Sequence, residues 1–393
     1  MPLSFTRSWS NEELEALRAT AARFIETEMQ PQDAAARQRG HVGHALWRRA
    51  GALGLLCTDI PEAYGGGGGD FRHEAVIHEE MARRGLTGLS NSVHSIVAHY
   101  LLNHGTEAQK RQYLPRMARG ELVGAIAMTE PGAGSDLQGV RTRATRDGDS
   151  YVIEGSKTFI TNGYLAGLIL VVCKTDPSQG ARGTSILIVE TERGPKDDEE
   201  GGMHRAGFQV GRVLDKMGMK AQDTSELFFD GVRVPADSLL GGREGQGFFQ
   251  LMGDLPYERL IIGLSALACM EGAYEATLAY VRERQAFGKP IAEFQNTRFK
   301  LAEVATQIQV GRAFIDRCVE QLVAGQLDTA TASMAKLWGS EAQGRVLDEL
   351  VQLHGGYGFM NEYLVTRMYA DARVQRIYGG TSEIMKEVIA RAL

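Results

Sequence analysis

The runs LILVVCKT (residues 168–175) and TSILIVE (residues 184–190) decide the fold, because they are short, apolar and rich in β-branched residues. Similar short runs occur at 123–129 (VGAIAMT), 140–145 (VRTRAT), 151–155 (YVIEG) and 225–230 (SELFFD). Turn residues separate these runs, and the sequence Asp-Gly-Asp at 147–149 is typical of a hairpin. The segment from about 123 to 235 is therefore predicted to form an antiparallel β-barrel or sandwich.

On both sides of this segment, apolar residues recur at the spacing of an α-helix. Ser10, with Glu13 three residues later, has the spacing of a capping box, and Pro31 is predicted to end the first helix. Further helices are predicted at 43–53, 73–84, 91–103, 106–119, 246–284, 292–325, 328–354 and from 380 onward. The glycines at 65–69 are expected to be a flexible connection, since no Lys-Ser/Thr pair follows as in a phosphate loop. Residues 195–202 are expected to form a surface loop.

The order helix, sheet, helix predicts a mixed α and β fold that is mainly helical. We expect an N-terminal helical domain at 1–122, a central β-barrel or sandwich domain at 123–238 and a C-terminal helical bundle at 239–393. This order argues against a doubly wound nucleotide-binding fold, in which strands and helices alternate. No G-x-G-x-x-G follows a strand and opens a helix in the sequence.

Composition excludes several classes of function. The 393 residues carry a net charge of −6, which argues against a nucleic-acid partner. The four cysteines form no C-x-x-C pair or Cys/His cluster, so no metal site is predicted. The N-terminus resembles neither a secretory signal nor a transit peptide, and no apolar run reaches the roughly 18 residues of a membrane span. A cytoplasmic protein is expected.

Five short segments carry residues suited to binding or chemistry. They are AMTEPGAGSD (127–136), KTFITNG (157–163), RQAFGKP (284–290), QLHGGYGF (352–359) and IYGGTSEI (377–384). Small residues in the first let a ligand approach backbone N–H groups closely. Each segment alone also has an ordinary interpretation, as a glycine turn, a strand end, a helix end or a helix cap.

Together and in this order, the five segments resemble the acyl-CoA dehydrogenase family, from about residue 10 to residue 393. The segments LPYERL, AMTEPGAGSDLQG and YGGTSEIMKE are most similar to the long-chain acyl-CoA dehydrogenases. The resemblance implies an N-terminal helical domain, a central antiparallel β domain and a C-terminal four-helix bundle. It also implies FAD between the β domain and the bundle, in a homotetramer built as a dimer of dimers.

The resemblance further implies which residues bind FAD. Contacts from within the subunit are expected from Ile126, Ala127, Met128, Thr129, Gly134, Ser135, Phe159, Ile160, Thr161, Thr381, Ser382 and Glu383. Contacts to the FAD of a neighbouring subunit are expected from Arg284, Gln295, Gln352, Leu353, His354, Gly355 and Gly356. Arg284 would meet the charge of the pyrophosphate.

The catalytic base is expected at an alternative site. Many family members carry a glutamate immediately before the Gly-Thr of the last segment, where this sequence has Gly379. The long-chain and isovaleryl branches carry the base at a position that matches Glu258 here. Glu258 would remove the α proton in a water-poor cleft, and the backbone N–H of Gly379 would polarise the thioester carbonyl. The alternative for Glu258 is a helix-end carboxylate paired with Arg259.

Substrate-binding residues are expected at Ser135, Phe249, Tyr257, Arg259, Gly379 and Gly380. Phe249 and Tyr257 read equally well as core residues, and long-chain or branched acyl groups all fit the pattern. The implied function is dehydrogenation of an acyl-CoA to the trans-2-enoyl-CoA in fatty acid β-oxidation, with electrons passed to an electron-transfer flavoprotein. A flavin oxidase on the same fold and a catalytically silent FAD-binding assembly partner are the alternatives.

Overall fold

The N-terminal third of the chain is helical, as the apolar period predicts. The computed structural model describes residues 5–193 and 203–393, so the predicted loop at 195–202 lies outside the described residues. The helices of this part are α1 (Glu12–Phe24), α2 (Asp33–Arg39), α3 (His44–Ala52), α4 (Phe71–Arg83), α5 (Asn91–His104) and α6 (Glu107–Ala118).

The predicted start and end of the first helix are both wrong. Asn11, not Ser10, is the N-cap, and its side chain accepts a hydrogen bond from the N–H of Leu14 at 2.9 Å. Pro31 does not stop the chain from coiling, since a π turn at Ile25–Met29 and a 3₁₀ turn lead directly into α2. Pro31 is tolerated because it lies in the first positions of that 3₁₀ turn, where its missing N–H is not needed.

The glycine stretch 65–69 is a packed loop, which corrects the expectation of a flexible connection. Gly67 donates its N–H to the carbonyl of Cys57, and Gly69 donates to that of Thr58, both at 3.0 Å. A Cβ atom at Gly66 would lie 2.2 Å from the carbonyl oxygen of Ile60. The glycines are therefore needed for close backbone packing rather than for mobility.

The middle of the chain forms a curled β-sheet. Its strands are β1 (Gly124–Ala127), β2 (Arg143–Asp147), β3 (Ser150–Thr161), β4 (Leu168–Lys174), β5 (Thr184–Glu190), β6 (Glu192–Arg193), β7 (Met203–His204), β8 (Phe208–Val213) and β9 (Thr224–Pro235). Among the described residues the main sheet has the order β1-β4-β2-β3-β9-β8, with β5 on the other edge of β4. The predicted hairpin joins β2 to β3. The sheet is mixed rather than purely antiparallel, because β1 and β2 both pair with β4 in parallel.

The position of strand β4 explains why the run LILVVCKT (residues 168–175) is apolar throughout most of its length. Its alternate residues Leu168, Leu170 and Val172 pack against apolar side chains of α5 and α6. The intervening residues face a second apolar cluster that the sheet encloses on its other side. A strand covered on both faces has no solvated side, so it lacks the polar alternation of a surface strand.

The C-terminal part is a bundle of long helices. They are α7 (Gly247–Glu283), α8 (Gln295–Val323), α9 (Thr329–His354), α10 (Leu364–Ala372) and α11 (Ser382–Ala390), with a small hairpin β10 (Gln285–Ala286) and β11 (Lys289–Pro290) after α7. Helix α10 was not predicted from the sequence. Helix α7 packs against α9 and α8 within the bundle and against α4 and α5 of the N-terminal part. The boundaries proposed from the sequence fall between α6 and β1 and in the 3₁₀ turn after β9.

Candidate active site

Glu258 is a buried carboxylate on the fourth turn of α7. Its Oε1 atom accepts a hydrogen bond of 2.9 Å from the hydroxyl of Tyr100 on α5. Burial raises the pKa of Glu258 to about 7, and the nearby charge of Asp254 acts in the same direction. The carboxylate is neither at a helix end nor bonded to Arg259, so it lacks the features of an ordinary surface ion pair.

Asp254 is fixed one turn before Glu258. Asn103 donates to its Oδ1 atom at 2.6 Å, and Nε2 of His104 lies 2.7 Å from its Oδ2 atom. Both partners belong to the last turn of α5, the same helix that supplies Tyr100. Two consecutive turns of α7 thus form hydrogen bonds with the same helix, α5, and these bonds fix the orientation of the Glu258 carboxylate.

Gly379 lies against the stretch of α7 that carries Glu258. A Cβ atom at Gly379 would lie 2.6 Å from Cδ1 of Ile262, which is one turn after Glu258 on the same face. The backbone at Gly379 has φ +61°, a conformation that favours glycine. Within the described residues, no protein group accepts a hydrogen bond from the N–H of this exposed glycine. The structure therefore places Gly379 against the helix that carries Glu258, and the catalytic roles of these two residues stay predictions.

Two buried cations lie close to the loop formed by Gly379 and Gly380, which is called the glycine loop below. Lys336 on α9 donates a hydrogen bond to the carbonyl oxygen of Gly380, and burial lowers the pKa of this lysine to about 8. Arg259 donates from Nη1 to the hydroxyl of Ser333 at 2.9 Å, and burial lowers its pKa as well. The charge of Arg259 also lowers the pKa of Lys336. The loop therefore lies in a positive field, which favours negative charge on a group bound there.

The ends of β1 and β3 form a second part of the site. The N–H of Thr158 donates to the carbonyl of Thr129 at 3.0 Å. Nζ of Lys157 donates to the carbonyl of Met128 at 2.9 Å and to Oε1 of Glu130 at 2.8 Å. Both members of this ion pair are buried. The pair holds the two predicted flavin-binding segments, 126–135 and 159–161, next to each other.

Phe159 and Thr161 differ from an ordinary strand end. Phe159 has φ +60° and a ring that is 67% exposed, at an irregularity in the pairing of β3 with β9. The hydroxyl of Thr161 accepts a hydrogen bond of 3.1 Å from Gln222. Ile160, between them, points into the core. Backbone strain that keeps an aromatic ring in solvent is typical of a functional surface.

The segment after β1 leaves room for a ligand. Ser135 is exposed, and a Cβ atom added at Gly132 or Gly134 would meet nothing within 4 Å. The exposed ring of Phe159 and this open glycine segment are brought together by the hydrogen bond between the two strand ends. A flat aromatic ligand such as the isoalloxazine ring of FAD fits these residues.

The far end of α7 forms a separate groove. Arg284, Ile291 and residues 352–356 line it, together with Tyr280, Tyr357 and Met360, and its volume is about 500 Å³. Arg284 is exposed, and its guanidinium lies 5.5 Å from the ring centre of Tyr357. Among the described residues no carboxylate pairs with Arg284. Gln295, also exposed, begins α8 just beyond the hairpin that follows Arg284.

Helix lengths separate this groove from Glu258. Arg284 follows Glu258 by 26 residues along α7, which corresponds to about 39 Å. Thr381 caps α11, and Ser382 donates to Glu341, which precedes His354 by 13 residues or about 20 Å along α9. One chain therefore does not place all of the predicted FAD contacts around a single cofactor.

Two of the proposed substrate contacts are not brought to Glu258. Tyr257 is buried, its hydroxyl donates to Oδ2 of Asp59 at 3.0 Å, and its ring lies 4.0 Å from that of His99. Phe249 is exposed and precedes Glu258 by nine residues, which places it on roughly the opposite side of α7. Their assignment to the acyl channel stays a prediction.

Several residues of the site were not predicted from the sequence. Tyr100 reads as one more apolar residue of α5, and Asp254 as a surface carboxylate, until α5 and α7 are seen to pack together. Lys336 and Lys157 are lysines buried within a helix and a strand, a position that carries no sequence signal. Only the tertiary structure supplies the partners that make these residues informative.

The described residues contain neither a metal-ion site nor a helix able to span a membrane. Within residues 5–193 and 203–393, no group of three His, Cys, Asp or Glu side chains is placed to hold a metal ion. None of the described helices is both long and apolar enough to cross a membrane. The four cysteines are buried free thiols.

Comparison with known proteins places the chain in a family. Three family models match it: the N-terminal acyl-CoA dehydrogenase domain at residues 11–121, the middle domain at 125–232 and the C-terminal domain at 245–393. A long-chain specific mitochondrial acyl-CoA dehydrogenase of Rattus norvegicus is 48% identical over 100% of this chain and 88% of its own length.

Solved structures agree with this assignment. An acyl-CoA dehydrogenase from Geobacillus kaustophilus has a TM-score of 0.91 and 45% identity, covering 98% of this chain and 99% of that one. A glutaryl-CoA dehydrogenase from Mycobacterium smegmatis, solved in complex with FADH2, has a TM-score of 0.86 and 28% identity, covering 98% and 95%. The chain therefore belongs to the acyl-CoA dehydrogenase family.

Proposed function

We propose that this enzyme dehydrogenates a long-chain acyl-CoA thioester between its α and β carbons. Family membership makes the chain an FAD-dependent oxidoreductase acting on acyl-CoA. The observation that carries the proposal is the buried Glu258 carboxylate, with a pKa of about 7, on the stretch of α7 that Gly379 lies against. The N–H of Gly379 has no acceptor among the described residues. A base and a carbonyl-polarising donor within one cleft are what removal of an α proton requires.

Glu258 is assigned the role of general base. With a pKa of about 7 the carboxylate is about half ionised at neutral pH, and its basicity matches the proton transfer better than that of an exposed glutamate. Tyr100 holds the Oε1 atom, which leaves Oε2 to accept the α proton. Tyr100 is thus a positioning residue that also sets the basicity of Glu258.

The glycine loop is assigned the role of binding the thioester oxygen. The N–H of Gly379 is available as a donor, and Lys336 fixes the loop through the neighbouring carbonyl of Gly380. As the α proton leaves, negative charge grows on the thioester oxygen. One such donor typically contributes about 2.7–4 kcal/mol to lowering the barrier.

The strand ends are assigned to the cofactor. FAD, when bound, supplies the hydride acceptor for the β carbon. Thr129, Ser135, Phe159 and Thr161 would hold its flavin ring, since they belong to the two strand ends that the Thr158–Thr129 hydrogen bond and the Lys157–Glu130 pair join. Arg284 and residues 352–356 would hold the FAD of a neighbouring subunit, which the separation of about 39 Å along α7 supports. A homotetramer built as a dimer of dimers is part of this proposal.

Preference for a long acyl chain is tested with a graded substrate series. The purified FAD-loaded enzyme is mixed without oxygen with saturated acyl-CoA thioesters from butyryl to palmitoyl, and bleaching of the flavin absorbance is followed. We expect the rate divided by the substrate Kd to increase with chain length. Bleaching by butyryl-CoA alone would contradict the long-chain preference. If no thioester of the series bleached the flavin, the protein would instead be the catalytically silent FAD-binding assembly partner.

The electron acceptor is tested on the reduced enzyme. We expect electron-transfer flavoprotein to reoxidise it rapidly and air to reoxidise it slowly. Rapid reoxidation by air with formation of hydrogen peroxide would identify a flavin oxidase instead. Mass by light scattering tests the tetramer on the same sample. The cytoplasmic location expected from the sequence stays a prediction.

A further inference from the structure

A cavity behind the active site has polar groups without partners. It lies between the α4–α5 connection, α7, α9 and α10, and its volume is about 100 Å³. Asn91, Gln343 and Gln375 line it and are 3%, 1% and 6% exposed. Nδ2 of Asn91, Oε1 of Gln343 and Oε1 of Gln375 form no hydrogen bond within the described residues. Nε2 of His78, which also lines the cavity, forms no hydrogen bond either. Buried polar groups are normally paired, so four orphaned atoms around one space point to a ligand or to water.

The cavity lies where an acyl chain leaving Glu258 would run. Ser265, on its wall, follows Glu258 by seven residues on the same face of α7, a distance of about 10 Å. Tyr378, also on the wall, directly precedes Gly379. A thioester held at Gly379 would therefore send the middle of its chain along α7 into this space.

The lining combines apolar walls with a few specific polar atoms. Met81, Leu86, Leu89 and Met368 supply apolar surface suited to methylene groups. The carboxylate of Asp371, another lining residue, already accepts a hydrogen bond from the N–H of Met219. The unpaired atoms are thus one amide donor, from Asn91, two carbonyl acceptors, from the glutamines, and Nε2 of His78, which donates or accepts according to its tautomer.

A plain methylene chain would leave all four atoms unpaired. A hydroxyl group both donates and accepts, so it can pair with the Asn91 amide and with one glutamine carbonyl at the same time. A keto group only accepts hydrogen bonds, so it could pair with neither glutamine carbonyl. The donor set therefore matches a hydroxyl better than a hydrocarbon or a ketone.

We propose that the cavity binds a hydroxyl group in the middle of the acyl chain, so that hydroxylated long-chain acyl-CoA thioesters are the preferred substrates. The inference rests on the proposed dehydrogenation and adds a substrate class to it. A site built to pair with a hydroxyl discriminates against the analogue that lacks one, because its polar groups then stay unpaired. Ordered water is the competing occupant, since about 10–15 Å³ of cavity is enough for each molecule.

The test compares palmitoyl-CoA with its monohydroxylated derivatives, each bearing the hydroxyl at a different mid-chain carbon. The readout is kcat/KM on the FAD-loaded enzyme. At the position that reaches the cavity we expect kcat/KM to exceed that of palmitoyl-CoA by roughly tenfold, the effect of one net hydrogen bond. A kcat/KM below that of palmitoyl-CoA at every position would overturn the inference. Loss of turnover with palmitoyl-CoA itself would instead refute the proposed function.

A pair of matched variants locates the effect. Gln343→Met keeps the side-chain length and removes the acceptor, so the ratio of hydroxylated to plain substrate should fall several-fold. Gln321→Met is the control, because Oε1 of Gln321 on α8 is also buried without a partner but does not line the cavity. Flavin content and melting temperature show that both variants fold. An unchanged ratio in folded Gln343→Met would assign the cavity to water.

Discussion

Removing the hydroxyl of Tyr100 should move the activity of the enzyme to higher pH. The phenol donates to Oε1 of Glu258 at 2.9 Å and is buried, so Tyr100→Phe deletes one hydrogen bond and leaves the ring in place. That hydrogen bond favours the ionised carboxylate and opposes the effect of burial on its pKa. Without it, Glu258 should hold its proton more tightly.

The size of the shift follows from the strength of the bond. A hydrogen bond to a charged group contributes about 1.5–3 kcal/mol, and one pKa unit corresponds to about 1.36 kcal/mol. The full loss would raise the pKa by roughly one to two units. Glu258 has a pKa of about 7 in the native protein, so the variant should titrate near pH 8 or above.

The assay is the pH profile of kcat/KM with palmitoyl-CoA, which reports the ionisation of the free enzyme. A base must be ionised to accept a proton, so activity rises with pH through the pKa of Glu258 and the rising limb should move to higher pH in the variant. Tyr113→Phe is a matched control, since Tyr113 lies in the same apolar cluster as Tyr100 without a bond to Glu258. An unshifted limb in folded Tyr100→Phe would refute this account of the base.

Three further results are expected. In a Glu258→Gln background, Gly379→Glu should restore only a small part of the activity in the flavin-bleaching assay, because its φ of +61° and the contact with α7 strain any side chain; full restoration would contradict this geometry. Arg284→Ala should lower the ratio of FAD to protein, whereas Arg284→Lys should retain more FAD; an unchanged ratio and an unchanged mass would leave Arg284 as a solvated cation. Lys157→Met should lower stability in urea by about 3 kcal/mol, the low end for a broken buried pair, because two backbone N–H groups still hold Glu130; an unchanged midpoint would show that the pair does not hold the strand ends.

The order of helix, sheet and helix was predictable because the apolar period changes where the fold changes. The β2–β3 hairpin was predictable for a similar reason, since its turn chemistry is local. The parallel pairing of β1 with β4 was not, because it joins segments that are distant in sequence and only the enclosed position of β4 favours it. The predicted ends of the first helix were wrong because Ser10 and Asn11 are both good N-caps, and because Pro31 is compatible with the first turn of a helix.

The site was predictable in part. Glu258 and Gly379 were named from the sequence, and the structure places Gly379 against Ile262, one helical turn after Glu258 on α7. The partners that give Glu258 its properties were not predicted, since the hydrogen bond from Tyr100 spans 158 positions of sequence. The polar cavity beyond Ser265 had no signal either, because its orphaned atoms come from four separate elements.

The central claim is that Glu258 removes the α proton, and one measurement tests it directly. Wild-type enzyme and Glu258→Gln, both loaded with FAD, are mixed with palmitoyl-CoA without oxygen, and the rate of flavin bleaching is measured in a single turnover. The amide is nearly the same shape as the carboxylate, so folding and FAD content should survive. We predict that bleaching slows by about a thousandfold or more, as expected for loss of a general base. A rate within tenfold of wild type would show that another group takes the proton.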